Sequence, residues 1–335
     1  MFIEKPKVSV CVITYNQDKY IRRCLQSIVE QKTSFSFEII IGDDCSTDKT
    51  REIIGEFKNR YQNIVRPIFR NNNIGPKNNF FDVLSAANGQ YLAFCEGDDY
   101  WTDQLKLQKQ LEFMENKQDY SMCYHAVEVV DIQGHRTGRR LGPYKKGSRD
   151  YPIEFNVIGG NVHVSSVLTR AEYIKDGMPP WYTNAESGEC GDFALALFLS
   201  ASGKTHFIDE SMSAHRDGVK GSLMTEMRNK YSRQNEIDYH KKRIATLESA
   251  DRYYNYAFHD ALEEVNLHSL VKILMLEGNK EELKKDRYRE FLNRQGRLRK
   301  FKLIILNKHP NIAKIMVRLK GHLMSTIERV AGSSR

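Results

Sequence analysis

Two apolar rhythms alternate over the first hundred positions. Val8-Ser9-Val10-Cys11-Val12-Ile13 is a short β-branched run and reads as a buried strand. Ile21, Cys24, Leu25 and Ile28 then recur at helical spacing, the stripe of a helix lying on a sheet. Glu38 to Ile41 is a second strand; Ile53, Ile54 and Phe57 mark the next helix, with Ser46 and Thr47 as its candidate caps. Val65 to Phe69 is a weaker third strand that Pro67 assigns to a sheet edge. Phe80, Val83, Leu84 and Ala87 predict a third helix stopped at Asn88-Gly89, and Tyr91 to Cys95 a fourth strand. That order predicts an α/β fold with a mostly parallel sheet and right-handed crossovers.

In such a sheet, ligands bind beyond the carboxyl ends of the strands. Those ends are Thr14-Tyr15-Asn16, Gly42-Asp43-Asp44, Arg70 to Asn73, and Glu96-Gly97-Asp98-Asp99. All are polar, and the last sets three carboxylates within four residues. Carboxylates are costly to bury unless paired or bound to a metal, and their hard oxygens suit Mg²⁺ or Mn²⁺. An acidic turn is the plainer alternative, and four polar ends on one crevice weigh against it.

Farther on, Thr102-Asp103 caps a helix carrying Leu107, Leu111 and Met114. Between Ser121 and Ser222 the pattern loosens into shorter strands, a basic glycine-containing loop from Gly134 to Arg149, and an apolar helix after Gly191-Asp192. From Thr225 onward it reads as charged helices. The apolar share of 40% and charged share of 28% are those of a globular protein. Six dispersed cysteines, without metal-binding spacing, read as reduced core residues. With no leader-like start and no apolar run near ~20 residues, a cytoplasmic location is expected. The net charge of +8 gathers after about Arg287, which argues against a nucleic-acid surface. Arg297 to Leu306, and then Ile312, Ile315, Met316 and Leu319, would suit peripheral contact with an anionic membrane, packing on the chain's own domain, or a homodimer. Neither G-x-G-x-x-G nor G-x-x-x-x-G-K-[ST] is present, which counts against dinucleotide and P-loop enzymes.

The segments Val8 to Asn16, Glu38 to Asp48, Asn73-Ile74-Gly75 and Cys95 to Trp101 resemble, in order and spacing, the family 2 glycosyltransferases of the GT-A fold. The match covers roughly residues 6 to 115 and thins out by about residue 222. The resemblance implies a Rossmann-like, mostly parallel sheet with mixed strands on the acceptor side, plus a C-terminal helical extension. It divides the chain into a donor half (1–105), an acceptor half (106–222) and a basic extension (223–335).

It also implies an inverting transfer from a UDP- or dTDP-sugar to a hydroxyl of a glycan or lipid-linked saccharide, with Mg²⁺ or Mn²⁺. Thr14, Tyr15, Asn16 and Asp44 would hold the nucleoside, with helix capping the other use for the Asp43-Asp44 pair. Asn73, Lys77 and Arg216 would meet the donor's remaining groups. Asp98 would face ribose or metal, Asp99 would ligate the metal, and His215 is a further metal candidate. Asp192 is the expected base, with Glu189 in reserve and a helix N-cap as the alternative. Glu96 is unassigned; His163 reads as a packing residue; Trp101 and Trp181 are candidate sugar-stacking rings, with packing under the acidic loop the favoured reading for Trp101. Two other classes stay open, a nucleotidyltransferase of similar fold and a non-catalytic glycan-binding scaffold.

Overall fold

The structure, a computed structural model, describes residues 5–143, 146–157, 161–175, 177–183, 191–222, 225–226 and 232–294. The chain divides into two compact units, Met1–Pro179 with Cys190–Val219, and Pro180–Glu189 with Lys220–Arg335.

The first unit begins with β1 (Val8–Thr14), α1 (Ile21–Val29), β2 (Phe37–Asp43), α2 (Thr50–Arg60), β3 (Val65–Phe69), α3 (Gly75–Ala86) and β4 (Tyr91–Glu96). There follow β5 (Tyr100–Trp101), α4 (Lys106–Glu115), β6 (Tyr120–Val130), β7 (Arg136–Leu141), β8 (Arg149–Asp150), α5 (Ile153–Asn156), β9 (Leu168–Arg170) and α6 (Ala171–Lys175). After α7 (Pro180–Thr183), which belongs to the second unit, come α8 (Asp192–Ser202) and β10 (Lys204–Arg216).

The strands form one sheet in the order β3-β2-β1-β4-β9-β6-β10-β5, with β7 and β8 pairing off this path. β1 to β4 are mutually parallel where they pair. β9 runs antiparallel to both β4 and β6, and β6 is parallel to β10. The carboxyl ends of β1, β2, β4, β6 and β10 therefore gather along one edge. β3 is the outer strand, as Pro67 predicts.

The core follows the sequence stripes. Val8, Val10 and Val12 of β1 and Ile39 and Ile41 of β2 pack in one cluster with Ile21, Cys24, Leu25 and Ile28 of α1. Each such fully buried aliphatic side chain contributes about 1.5–3 kcal/mol. A polar knot ties the opposite strand ends: Glu38 accepts from the Ser9 hydroxyl at 2.6 Å and the Asn88 N–H at 2.7 Å, and pairs with Arg66 at 2.5 Å. Burial pushes the Glu38 pKa up, but these partners outweigh it and hold it below the ordinary value.

Two local expectations are corrected. Helix α2 starts at Thr50, because Ser46 Oγ accepts from Asn16 N–H and Thr47 N–H donates to Asn16 Oδ1; Asp48 Oδ1 accepts from Thr50 N–H instead. The basic Gly134 to Arg149 stretch is not simply a loop, since it contains β7 and runs into β8. The arginines of β7 are paired (Arg136 with Glu128, Arg139 with Asp217, Arg140 with Asp209), so no apolar alternation betrays the strand.

In the second unit, α9 (Arg233–Tyr253) is capped by Ser232 and contacts α10 (His259–Glu277). Leu267, Val271 and Met275 of α10 pack with Tyr288 and Phe291 of α11 (Asp286–Arg294). Trp181 is buried here, so its ring is not an open stacking platform. Among the described residues no helix is long and apolar enough to cross a membrane. The basic and apolar stretches beyond Arg297 lie outside the described residues, as does Cys190; Cys11, Cys24, Cys45, Cys95 and Cys123 are free thiols.

Candidate active site

At the ends of β1 and β2 the polar side chains build a rigid rim. Asp44, 3% exposed, accepts from Ile74 N–H (2.7 Å) and Gly75 N–H (2.9 Å) through its two oxygens. It thus caps α3, thirty residues on, and not the helix that follows it in sequence. Asn73 Nδ2 donates to the Asp44 carbonyl, and Asp44 N–H donates to the Thr14 carbonyl. Asp43 is spoken for by Ser46 N–H and Arg51 Nε, although its Oδ1 is buried with no partner. Asn16 and Cys45 adopt left-handed backbone conformations (φ 52° and 64°) that fold the two loops toward each other. Thr14 is buried with its hydroxyl on Gln17, whereas Tyr15 stands 47% exposed. Lys77 lies in the first turn of α3 and is half-buried.

At the end of β4 the acids meet a different environment. The turn is seated directly on β1, since a side chain at Gly97 would strike Gln17 Oε1 and Thr14 Oγ1. Asp99 is fully buried and faces His215 Nδ1 at 3.2 Å, with Arg216 N–H donating to its Oδ1 at 2.9 Å. β10 delivers that pair after two register shifts between Ile208 and Ser213. His163, from the segment before β9, lies with Nε2 3.8 Å from Asp99 and 3.9 Å from Asp192, its ring 4.6 Å from that of His215. Ser165 holds its Nδ1. Asp192 is the first residue of α8, Gly191 is the N-cap, and no side chain caps that helix; the carboxylate turns toward His163 instead.

The electrostatics follow from crowding. Burial and the charges of Asp98, Asp99 and Asp192 push the Glu96 pKa well up, and burial with Asp99 lifts Asp98 to about 7. Burial opposes ionisation of Asp99 too, but the His215 hydrogen bond and charge hold it below the ordinary value. His215 would be lowered by burial, yet Asp99 and the neighbouring acids raise it to about 9. His163 is lowered, by burial first. One carboxylate and two imidazoles, Asp99, His163 and His215, present ligand atoms within 4.8 Å of one another. That donor set fits a divalent cation. The imidazoles suit a transition ion better than Mg²⁺.

Asp98, Asp99, Asp192 and His215 therefore converge, with the Arg216 backbone N–H on Asp99, while Thr14, Tyr15, Asn16, Asp44 and Asn73 form the adjoining rim. The Arg216 guanidinium does not reach into this cluster: it is used on the carbonyls of Asp98, Asp131 and Ile132. Trp101 is buried under the acidic turn with Lys106 Nζ 4.2 Å over its ring. Glu189 lies outside the described residues. His163 is the residue that sequence reasoning left in the core, and nothing in its local pattern marks it otherwise.

Residues 9–174 match the model of Glycosyl transferase family 2. The chain carries a family 2 glycosyltransferase domain. It is 40% identical over 219 residues to an uncharacterized protein of Mycobacterium tuberculosis, covering 64% of this chain and 63% of that one, so the match spans less than two thirds of the relative's length. The poly(ribitol-phosphate) beta-glucosyltransferase of Bacillus spizizenii is 32% identical over 196 residues, 58% of this chain and 30% of the relative. Among solved structures, S. aureus TarS 1-349 in complex with UDP superposes with a TM-score of 0.56 at 18% identity, covering 87% of this chain and 76% of that one. The glycosyltransferase domain shares its GT-A fold with that structure.

Proposed function

We propose that this protein is an inverting glycosyltransferase that moves a sugar from a UDP- or dTDP-sugar to an acceptor hydroxyl in the assembly of a surface polysaccharide or lipid-linked saccharide, on the cytoplasmic side. The family match supports the transferase class, and the relative named as acting on poly(ribitol-phosphate) supports a polymeric acceptor. The observation that carries the reading is the single imidazole, His163, lying between the candidate base Asp192 and the candidate metal ligand Asp99.

In this reading the Thr14 to Asn16 turn, Asp44 and Asn73 receive the nucleoside, and Lys77 the diphosphate. Asp99, His215 and His163 would hold Mn²⁺, with Asp98 beside it; the ion would supply positive charge to the departing diphosphate. Asp192 takes the proton of the acceptor hydroxyl as its oxygen bonds to the anomeric carbon from the face opposite the leaving group. The bond from that carbon to the phosphate oxygen breaks, and the nucleoside diphosphate leaves with the electron pair.

A panel of UDP- and dTDP-sugars, incubated with the full chain and Mn²⁺ and followed for slow donor hydrolysis, tests this without an acceptor. Nucleoside diphosphate release from one donor, abolished by chelation, is expected. Pyrophosphate release from a nucleoside triphosphate supplied with a sugar 1-phosphate, with every nucleotide-sugar left intact, would select the nucleotidyltransferase class. Background rates with every donor would leave only the scaffold.

A further inference from the structure

On the far side of the acidic turn, a cavity of about 370 Å³ is lined by Lys19, Tyr20, Arg23, Ile132, Gln133 and Arg216. A β-carbon placed on Gly134 would stand 2.7 Å from Arg23 Nη1 and 3.4 Å from Arg216 Nη1, so both guanidinium groups border one small space. They also share a face partner, with Arg23 3.6 Å and Arg216 5.5 Å from the centre of the Tyr100 ring, and Arg216 lies 4.8 Å from that of Tyr20. Gly134, at φ +91°, is what lets the turn between β6 and β7 pass this close. Among the described residues no carboxylate pairs with Lys19, Arg23 or Arg216; Arg216, 4% exposed, donates only to carbonyl oxygens through its side chain. The nearby Asp131 carboxylate is turned onto its own turn, accepting from Gln133 and His135. By contrast Arg136, Arg139 and Arg140, in the same part of the sheet, each have an acid of their own.

Two convergent guanidinium groups and an ammonium, none of them in an ion pair among the described residues, are suited to a tetrahedral oxyanion. We propose that this cavity binds a phosphate group, either free or as the ester of a lipid headgroup. The inference stands apart from the transferase reading, because neither Lys19 nor Arg23 takes part in it. Arg216 connects the two places: its Nε donates to the Asp98 carbonyl at 3.0 Å and its backbone N–H to the Asp99 carboxylate. A phosphate here would therefore brace the acidic turn from behind.

The test is calorimetric titration of the full chain with inorganic phosphate at constant ionic strength, beside flotation with phosphatidylglycerol and phosphatidylcholine vesicles. A Lys19→Ala/Arg23→Ala double variant removes two exposed side chains, and Arg22→Ala, whose side chain pairs with Glu56 outside the cavity, is the control. Saturable phosphate binding is expected, weakened about tenfold or more in the double variant and unchanged in Arg22→Ala. Binding only to phosphatidylglycerol vesicles, lost in the same variant, identifies the lipid ester as the source. Absence of saturable binding to either, or binding that the double variant leaves intact, overturns the proposal.

Discussion

The acids at the two ends of this crevice do opposite work. Around β1 and β2, Asp44 on the rim and Glu38 at the opposite strand ends have their oxygens met by N–H, hydroxyl or guanidinium donors, and the result is a fixed frame. Around β4, Glu96 and Asp98 crowd other carboxylates and are pushed up in pKa, while His215, His163 and the Arg216 N–H hold Asp99 below the ordinary value against the push of burial. In the first region, acids are structural elements whose removal should loosen the fold. In the second they are held at a cost that an added cation would relieve, as is common where function and stability conflict. Asp43 is the mixed case, with one oxygen satisfied and the other buried without a partner.

Three substitutions bear on this contrast. The largest effect is expected for Asp99→Asn, which should lower transfer at least ~100-fold and weaken Mn²⁺ binding. Initial rates and a Mn²⁺ titration measure both, and a variant that transfers at the original rate would erase the distinction between the two regions. Asp44→Ala should act first on the fold, costing about 1–2 kcal/mol in urea unfolding through the lost cap on α3. An unchanged unfolding midpoint would make Asp44 a ligand contact only. The smallest is Glu38→Gln, at about 1 kcal/mol near neutral pH. Because the folded pKa of Glu38 is depressed, its contribution is full above the unfolded value and fades as pH falls through the folded one. The gap between the parent protein and Glu38→Gln should therefore close in acid; a gap that widens there would contradict the pairing with Ser9 and Arg66.

Much of the first half is legible in the sequence because its signals are local. The strands β1 to β4 are continuous apolar runs, and α1 to α3 carry clear stripes, so the polar strand ends stand out from the residue pattern alone. What those ends do is not written there. Asp43-Asp44 and Asp98-Asp99 look alike as dipeptides, and only the fold brings the N–H groups of Ile74 and Gly75 to one and His215 to the other. His163 escapes for the same reason. Its partners come from the turn after β4, from α8 and from β10, and a histidine in an apolar strand reads as core when its neighbours are unknown. β7 is hidden by ion pairing, since charge on both faces cancels the alternation that marks a strand.

The placement of β9 has a consequence for how the protein is made. This strand of three residues, Leu168–Arg170, is the seam on the sheet path between β4 and β6. During synthesis β4 emerges roughly seventy residues earlier and waits with an open edge, while β6 and β10 must find each other across a long intervening chain. The sheet thus stays in two parts until β9 is made, β10 is the last strand to join it, and chains halted before Leu168 would expose an unpaired strand to neighbours. The order of assembly, as much as final stability, sets where this protein is vulnerable to aggregation.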